Sequence, residues 1–339
     1  MSEAACEKVL SMDEPHSDGA IPAAPDSSSK LAPNFAAAAQ PSYARTLFFG
    51  QDGLRPGWGF AFYVLLFFLL QRLLNVPVQG LLNVEPGWSP RLVDAIQEAV
   101  SLIAASIPAV VLGRIEKRGW GVFGLPLRFA FGRLFWLGAL WGFAGITLLM
   151  LMLYGLHDFD YGRLALHGLR VAKLGVYWAA LFLLVGLFEE FLLRGYTQYT
   201  LARGIGFWSA AFVLSATFGF THLFNEGEQW RGLLAAGAIG LFFCLTLRRT
   251  GSLWFAVGFH AAWDWGQTFF YSVPDSGLMY PHQQLLRSSL HGSPWLTGGS
   301  VGPEGSVLCL FLIVVVGMAF DRVFPAQRRD PAGDVPIPD

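Results

Sequence analysis

The sequence predicts an all-α membrane protein, a bundle of about eight transmembrane helices with both termini in the cytoplasm. Hydrophobic residues make up 54% of the 339 residues and charged residues only 14%, whereas a soluble globular protein has roughly 25% charged residues. So little charge cannot cover a surface that faces water. The apolar residues also form long runs, and Lys and Arg are concentrated in alternate connections between those runs. These observations together indicate a polytopic helical bundle.

The two ends of the chain differ from the rest in composition. Residues 1–45 are rich in Ala, Pro, Ser and Asp and contain no apolar stretch. This composition predicts a disordered cytoplasmic tail rather than a signal peptide or a folded domain. The transmembrane helical domain is expected to cover residues 46–325. Residues 326–339 are expected to form a short polar C-terminal tail.

Eight stretches are apolar and long enough to cross a bilayer, which takes about 20 residues of helix. The second stretch is the most polar, because Asp94, Gln97 and Glu98 lie in its first turns. The fifth and sixth stretches are short. The predicted spans run near Gly57–Val76, Val93–Leu112, Leu134–Leu156, Leu174–Tyr199, Phe207–Leu223, Gly232–Leu247, Leu253–Tyr271 and Ser306–Phe324.

The distribution of basic residues predicts the orientation. An even number of spans places both termini on one side of the membrane. The tails and loops of that side carry about twice as many Lys and Arg residues as the opposite loops, and cytoplasmic segments are the ones enriched in basic residues. Both termini are therefore placed in the cytoplasm. The net charge of −1 gives no reason to expect a nucleic acid as a partner, and the oligomeric state stays open.

The fourth span carries two adjacent carboxylates, Glu189 and Glu190, followed by Arg194. A charged side chain at the middle of a membrane costs at least about 2.5–3.5 kcal/mol on insertion scales, so these carboxylates require compensation. Arg194 lies one helical turn after Glu190, and the two can form an ion pair. Glu189 points about 100° away around the helix and is left for another role. A structural ion pair at a helix end, with Glu189 in water, is the alternative.

Two later spans carry histidines. The fifth span ends with Phe218 and, four residues on, His222, and the seventh contains His260 and Asp264 one turn apart on the same face. An apolar helix gains nothing from a His and an Asp unless they pair or bind something. His222 alone is more typical of a structural histidine than of a ligand.

Together these residue types suit hydrolysis in either of two ways. A carboxylate, two imidazoles and a fourth oxygen donor could hold a catalytic zinc ion with one position open for water. Without a metal, the carboxylate would deprotonate water and the imidazoles would stabilise the oxyanion. The sequence does not separate these two mechanisms.

The motifs resemble those of a known family. The pattern Glu-Glu-x-x-x-Arg on one helix, Phe-x-x-x-His on the next and His-x-x-x-Asn/Asp two helices later is similar to the CPBP family. This family, also called the Abi family, contains the CAAX proteases and bacteriocin-processing enzymes. The resemblance defines a CAAX-protease-like core near residues 174–270, and the helix count fits the whole membrane portion. The matching residues are Glu189, Glu190, Arg194, Phe218, His222, His260 and Asp264.

The resemblance implies an intramembrane metallo-endopeptidase that hydrolyses a membrane-associated or lipidated peptide. It implies that Glu189 activates water, that His222, His260 and Asp264 bind Zn²⁺ or stabilise the oxyanion, and that Glu190 and Arg194 support them. Glu189 is a candidate metal ligand as well. The eukaryotic CAAX proteases have Asn where this chain has Asp264, and an ionised Asp would bind a cation but repel an oxyanion. We expect a multi-pass protein of the bacterial cytoplasmic membrane.

Two other classes of function stay open. One is a protein that binds or sequesters a membrane partner on the same fold without cleaving it. The other is a small proton-coupled transporter that uses its intramembrane carboxylates as a relay. A transporter predicts an internal repeat or broken helices, and the sequence contains no repeat. The complete set of motif residues favours the enzyme.

Overall fold

The computed structural model describes residues 43–51, 53–84, 90–225 and 227–326. Nearly all of the predicted N- and C-terminal tails therefore lies outside the described residues. The two short antiparallel pairs of strands are β1 (Phe49–Gly50) with β2 (Gly53–Leu54) and β3 (Phe159–Asp160) with β4 (Ser289–Leu290). The helices are α1 (Tyr43–Phe48), α2 (Pro56–Val84), α3 (Pro90–Ile115), α4 (Arg133–Gly155), α5 (Leu169–Arg194), α6 (Tyr196–Ile205), α7 (Phe207–Thr221), α8 (Trp230–Thr250), α9 (Trp254–Asp264), α10 (Pro294–Thr297) and α11 (Val307–Val323).

The predicted all-α membrane bundle is confirmed. Within the described ranges, six helical stretches are long and apolar enough to cross a membrane, with α5 and α6 counted as one stretch. The other two predicted spans are also helical but shorter. α11 has 17 residues, and α9 has 11 residues and continues as a π-helix over Trp265–Phe270. The predicted seventh span is thus correct in extent, but it is not a regular α-helix throughout.

The predicted fourth span, Leu174–Tyr199, was placed too late and is interrupted. α5 begins at Leu169 and ends at Arg194, and α6 begins at Tyr196. Gly195 makes the break: a Cβ atom at this position would lie 2.3 Å from the carbonyl oxygen of Phe191. The break lets α6 leave the axis of α5 and pack against α2 and α7. It also leaves the Glu-Glu-x-x-x-Arg motif on the last turns of α5.

Glycines bring α4 and α9 into close contact. Cβ atoms at Gly138 and Gly142 would lie 2.0 and 2.1 Å from the carbonyl oxygens of Phe255 and Phe259, respectively. The reverse contact is equally tight, because a Cβ at Gly258 would lie 2.1 Å from the backbone carbonyl oxygen of α4 that faces it. Small residues one turn apart let two helix backbones approach each other in a membrane. This contact fixes the position of α9, which carries the His260 and Asp264 pair.

A long connection covers one end of the bundle. Residues 271–306 link the π-helix to α11, and within them β4 pairs with β3 from the connection between α4 and α5. The connection is packed inward, since Val273 and Val301 are each 1% exposed. We call residues 271–306 the cap. The apolar core below it lies mainly between α4, α8, α9 and α11, with a second core between α2, α3, α5 and α6.

We expect Gly142→Ala to destabilise the protein. The new methyl group would meet the Phe259 carbonyl oxygen at 2.1 Å, and overpacking of this kind typically costs about 1–3 kcal/mol. Gly80→Ala is the matched control, because Gly80 lies within α2 and a Cβ added there would have no other atom within 4 Å. Thermal unfolding in detergent should show a lower midpoint for Gly142→Ala and no decrease for Gly80→Ala. Equal midpoints for the two variants would contradict the close α4–α9 contact.

Candidate active site

A cavity of about 380 Å³ lies between α3, α5, α7, α8, α9 and the cap. Glu189, His222, His260 and Asp264 all line this cavity. The prediction that motif residues from three helices converge is therefore confirmed. The volume of the cavity falls within the range of sites that enclose small ligands, about 300–1,000 Å³.

His260 is the centre of the polar cluster. Its Nδ1 atom lies 3.0 Å from Oε1 of Glu190. Its Nε2 atom lies 3.6 Å from Oε2 of Glu189 and 3.4 Å from Oδ2 of Asp264. An ionised carboxylate can only accept a hydrogen bond, so Nδ1 carries a proton that it donates to Glu190. Nε2 is then the atom directed at the other two carboxylates, an arrangement that is favourable when Nε2 is also protonated.

Glu190 and Arg194 form the predicted ion pair, and it is fully buried. Arg194 Nη1 lies 3.2 Å from Oε1 of Glu190, and both side chains are 0% exposed. The guanidinium also lies 4.8 Å from the centre of the Phe218 ring and 5.8 Å from that of Phe243. Aromatic faces stabilise a desolvated cation. One oxygen of Glu190 thus accepts from both Arg194 and His260, a link that helical spacing did not predict.

Two glycines make room for this cluster. A Cβ at Gly186 would lie 3.3 Å from the carbonyl oxygen of Val257, which is a tight contact, so the absence of a side chain favours the close approach of α5 and α9. A Cβ at Gly240 would lie 2.5 Å from Nη2 of Arg194. Gly240 therefore leaves the space on α8 that the guanidinium occupies.

His222 also lines the cavity, but it is outside the polar cluster around His260. It follows the last turn of α7, and its Nδ1 lies 2.9 Å from the carbonyl oxygen of Phe218. Because a carbonyl only accepts, Nδ1 is the protonated nitrogen and Nε2 is the one that can accept. Among the described residues, no ion pair connects His222 to Glu189 or Asp264, whereas His260 pairs with both.

The predicted zinc site is not assembled in this arrangement. Both imidazoles are held through Nδ1 with Nε2 directed elsewhere, as is common for histidines that bind metals. Within the part of the chain that the structure describes, however, no group of three or more His, Cys, Asp or Glu side chains could hold a metal ion. Zinc binding by Glu189, His222, His260 and Asp264 therefore stays a prediction.

The cap contributes two acidic residues that no sequence motif indicated. Asp275 accepts a hydrogen bond of 2.8 Å from Oγ1 of Thr268 in the π-helix. Glu304 accepts one of 3.1 Å from Nε2 of Gln267, and it also accepts from the backbone N–H of Ser276. Both acids line the cavity. Because they lie in a connection without a motif, only their intramolecular contacts reveal them.

The burial of these two acids changes their protonation. Burial raises the pKa of Asp275 to about 6, although the hydrogen bond from Thr268 opposes the shift. Burial also raises the pKa of Glu304 well above its usual range, and the neighbouring charge of Asp275 adds to this effect. Charged carboxylates are disfavoured where water is excluded. The cap is therefore most stable when these acids hold their protons.

The stability of the protein should fall as Asp275 ionises. A raised folded-state pKa contributes stability that is fully present below the unfolded pKa, near 4, and is lost as the pH rises through about 6. The loss should be on the order of 3 kcal/mol. Thermal unfolding from pH 4 to pH 7 should therefore show a smaller loss for Asp275→Asn than for the wild type. Asp160→Asn, at an exposed carboxylate, should follow the wild type, and parallel profiles for all three proteins would contradict the assignment.

Breaking the buried ion pair should destabilise the bundle. Glu190→Gln removes the counter-charge of a fully buried guanidinium, which typically costs about 3–5 kcal/mol. Asp321→Asn is the control, because it breaks a partly exposed pair with Arg249, and exposed pairs contribute at most about 1 kcal/mol. Yield and unfolding midpoint in detergent should fall for Glu190→Gln alone. Full stability with loss of activity would instead place Glu190 in the chemical step.

Comparison with known families agrees with this geometry. Residues 172–266 match the family model described as type II CAAX prenyl endopeptidase Rce1-like. The match includes all the motif residues, from Glu189 on α5 to Asp264 on α9, and confirms the family resemblance. A comparison with curated proteins found no match. The helical core from α5 to α9 of this integral membrane protein is therefore similar to the Rce1-like type II CAAX prenyl endopeptidases.

Proposed function

We propose that this protein is an intramembrane endopeptidase that hydrolyses a peptide bond of a membrane-associated or lipidated peptide. One observation carries the proposal: the Glu189 carboxylate and Nε2 of His260 lie 3.6 Å apart and face the same cavity. A base and a proton donor on one cavity are the groups that the hydrolysis of an amide needs. The family match over residues 172–266 supports the same reaction class.

Glu189 is the proposed general base. Its side chain is 29% exposed, so it can meet a water molecule in the cavity. It takes a proton from that water while the water oxygen adds to the carbonyl carbon of the peptide bond. The tetrahedral intermediate then collapses, the C–N bond breaks, and the proton passes from Glu189 to the leaving amine. The products are a carboxylic acid and an amine.

His260 is the proposed oxyanion donor. When Nε2 is protonated, it can donate to the negative oxygen of the tetrahedral intermediate. Glu190 holds the opposite nitrogen at 3.0 Å and so sets the orientation of the ring. Asp264 lies 3.4 Å from Nε2 and stabilises the protonated imidazole. In this proposal Asp264 acts through His260, so its negative charge does not have to contact the oxyanion.

The remaining residues have supporting roles. His222 borders the cavity and can hydrogen bond the peptide or the leaving amine through Nε2. No described group of three or more His, Cys, Asp or Glu side chains is arranged to hold a metal ion, and the proposed hydrolysis uses the side chains alone. We also propose that the protein lies in a bacterial cytoplasmic membrane with both termini in the cytoplasm, in agreement with its basic loops.

We expect Glu189→Gln to abolish peptidase activity without unfolding the protein. Gln keeps the shape of the side chain but cannot take a proton from water, and the loss of a general base typically costs about 10²–10⁴ in rate. The assay is cleavage of a peptide library by purified protein, with products identified by mass spectrometry. Asp160→Asn is the control for a lost carboxylate outside the cavity. Wild-type cleavage by Glu189→Gln would remove Glu189 from the mechanism.

Chelation and the Asp264→Asn variant separate the two mechanisms. Without a metal, a chelator should leave wild-type activity unchanged, and His222→Ala and His260→Ala should lose activity with no change in metal content. A zinc enzyme should lose activity on chelation, and each His→Ala variant should lose metal. Asp264→Asn keeps a side-chain oxygen that can accept a hydrogen bond from Nε2 of His260, so it should retain activity in the first case. In the second case it should bind metal more weakly. The absence of any cleavage by the wild type would favour a binding protein on this fold.

A further inference from the structure

The cavity is strongly acidic. Seven of its lining residues are carboxylic acids, and they come from α3, α5, α9, the connection before α8 and the cap. The described lining residues include no Lys or Arg. The acids are Asp94, Glu98, Glu189, Glu228, Asp264, Asp275 and Glu304.

Arg194 and Arg231, which belong to two of the helices that line the cavity, are engaged elsewhere. Arg194 lies behind Glu190 and is 1% exposed. Arg231 donates to Oε1 of Gln229 and to the Pro294 carbonyl oxygen, and its guanidinium lies 4.5 Å from the centre of the Trp295 ring. These contacts hold both guanidinium groups outside the cavity. The basic groups that line it, among the described residues, are therefore two imidazoles.

One oxygen atom of the cavity acids is buried without a hydrogen-bond donor among the described residues. Oε2 of Glu98 is buried and accepts no hydrogen bond from any described residue. Burial of an oxygen without a hydrogen-bond donor is unfavourable, and more so when the group is charged. A ligand that brings an N–H donor and a positive charge would relieve this cost. Because Glu98 belongs to α3, the positive group of such a ligand would lie against the wall that α3 forms.

The remaining wall is apolar and aromatic. Phe182, Phe218, Phe243, Phe259 and Trp263 all border the cavity. Such rings bury apolar side chains, and their faces also attract cations. The occupant therefore has to combine an apolar body with a positive charge. A Lys or Arg side chain has both, because its methylene stem packs on apolar surface while its head stays polar.

We propose that the cavity selects a peptide segment that carries a Lys or Arg side chain among apolar residues. The cation lies against the acids of α3, and the apolar neighbours lie against the aromatic wall. A segment with an acidic side chain, or with a free C-terminal carboxylate at that position, is repelled. This inference rests on the proposed function, because it takes the cavity as the place where the substrate binds.

Peptide binding tests the selection directly. The probes are three fluorescent apolar peptides of Leu, Ala and Phe with amidated ends, identical except for a central Lys, norleucine or Glu. Fluorescence anisotropy with the purified full chain in a neutral detergent gives their affinities, and mass spectrometry follows their cleavage. We expect the Lys peptide to bind on the order of fivefold or more tightly than the norleucine peptide, and the Glu peptide to bind most weakly.

Two variants locate the preference. Glu98→Gln should reduce the preference for Lys over norleucine several-fold, whereas Asp160→Asn, which removes an exposed carboxylate outside the cavity, should leave it unchanged. Equal affinities of the Lys and norleucine peptides for the wild type would overturn the proposal. A preference that both variants change equally would also overturn it, because the source would then be the general surface charge.

The same measurements separate this inference from the proposed function. In one outcome the wild type binds the Lys peptide more tightly but cleaves none of the peptides, and Glu98→Gln loses the preference. That outcome supports a cationic ligand and contradicts the peptidase. Cleavage of all three peptides at equal kcat/KM supports the peptidase and contradicts the selection. The thermal unfolding midpoint of Glu98→Gln shows whether the variant is folded. Asp94→Asn changes a second acid on the same wall and should also reduce the preference for Lys over norleucine.

Discussion

The site depends on a single oxygen atom. Oε1 of Glu190 accepts hydrogen bonds from Arg194 and from His260, in a position where all three side chains are largely or fully buried. A buried carboxylate is stable only when it is paired, and Glu190 is paired within α5 by Arg194 and contacted from α9 by His260. The guanidinium needs the aromatic rings of α7 and α8 in turn. The ion pair therefore joins four helices and determines which way the imidazole of His260 faces.

Glycines determine how closely the helices around the site pack and how little they can slide. Gly142 and Gly258 hold α9 against α4 at backbone contact, and Gly186 brings α5 close to the backbone of α9. A histidine that must keep one nitrogen 3.0 Å from Glu190 and the other 3.6 Å from the neighbouring carboxylate tolerates little sliding of its helix. Backbone contact restricts such sliding more than side-chain packing does, because a backbone cannot change rotamer. The packing of α4, which carries no motif, therefore determines the geometry of the chemistry.

Features that depend on helical spacing could be predicted from the sequence, whereas those that depend on tertiary contacts could not. Apolar length predicted the bundle, and the four-residue spacings predicted that Glu190 pairs with Arg194 and that His260 lies beside Asp264. The contact between Glu190 and His260 spans 70 positions, and no local pattern contains it. The two acids of the cap were missed because they lie in a connection, where acidic residues normally face water. The break at Gly195 was missed because hydropathy continues across it.

The aspartate at position 264 fits a site that handles positive charge. An oxyanion in contact with an ionised Asp264 would be repelled, but in this structure Nε2 of His260 lies beside that carboxylate and is in position to compensate for it. With Glu189 nearby, the imidazole faces two acids, so the cluster retains negative charge even when Nε2 is protonated. The acids of α3 continue this acidic lining along the neighbouring wall of the cavity. An ionised Asp264 would oppose the binding of a fragment that ends in a carboxylate. It is compatible with the binding of a basic segment while a neighbouring peptide bond is hydrolysed.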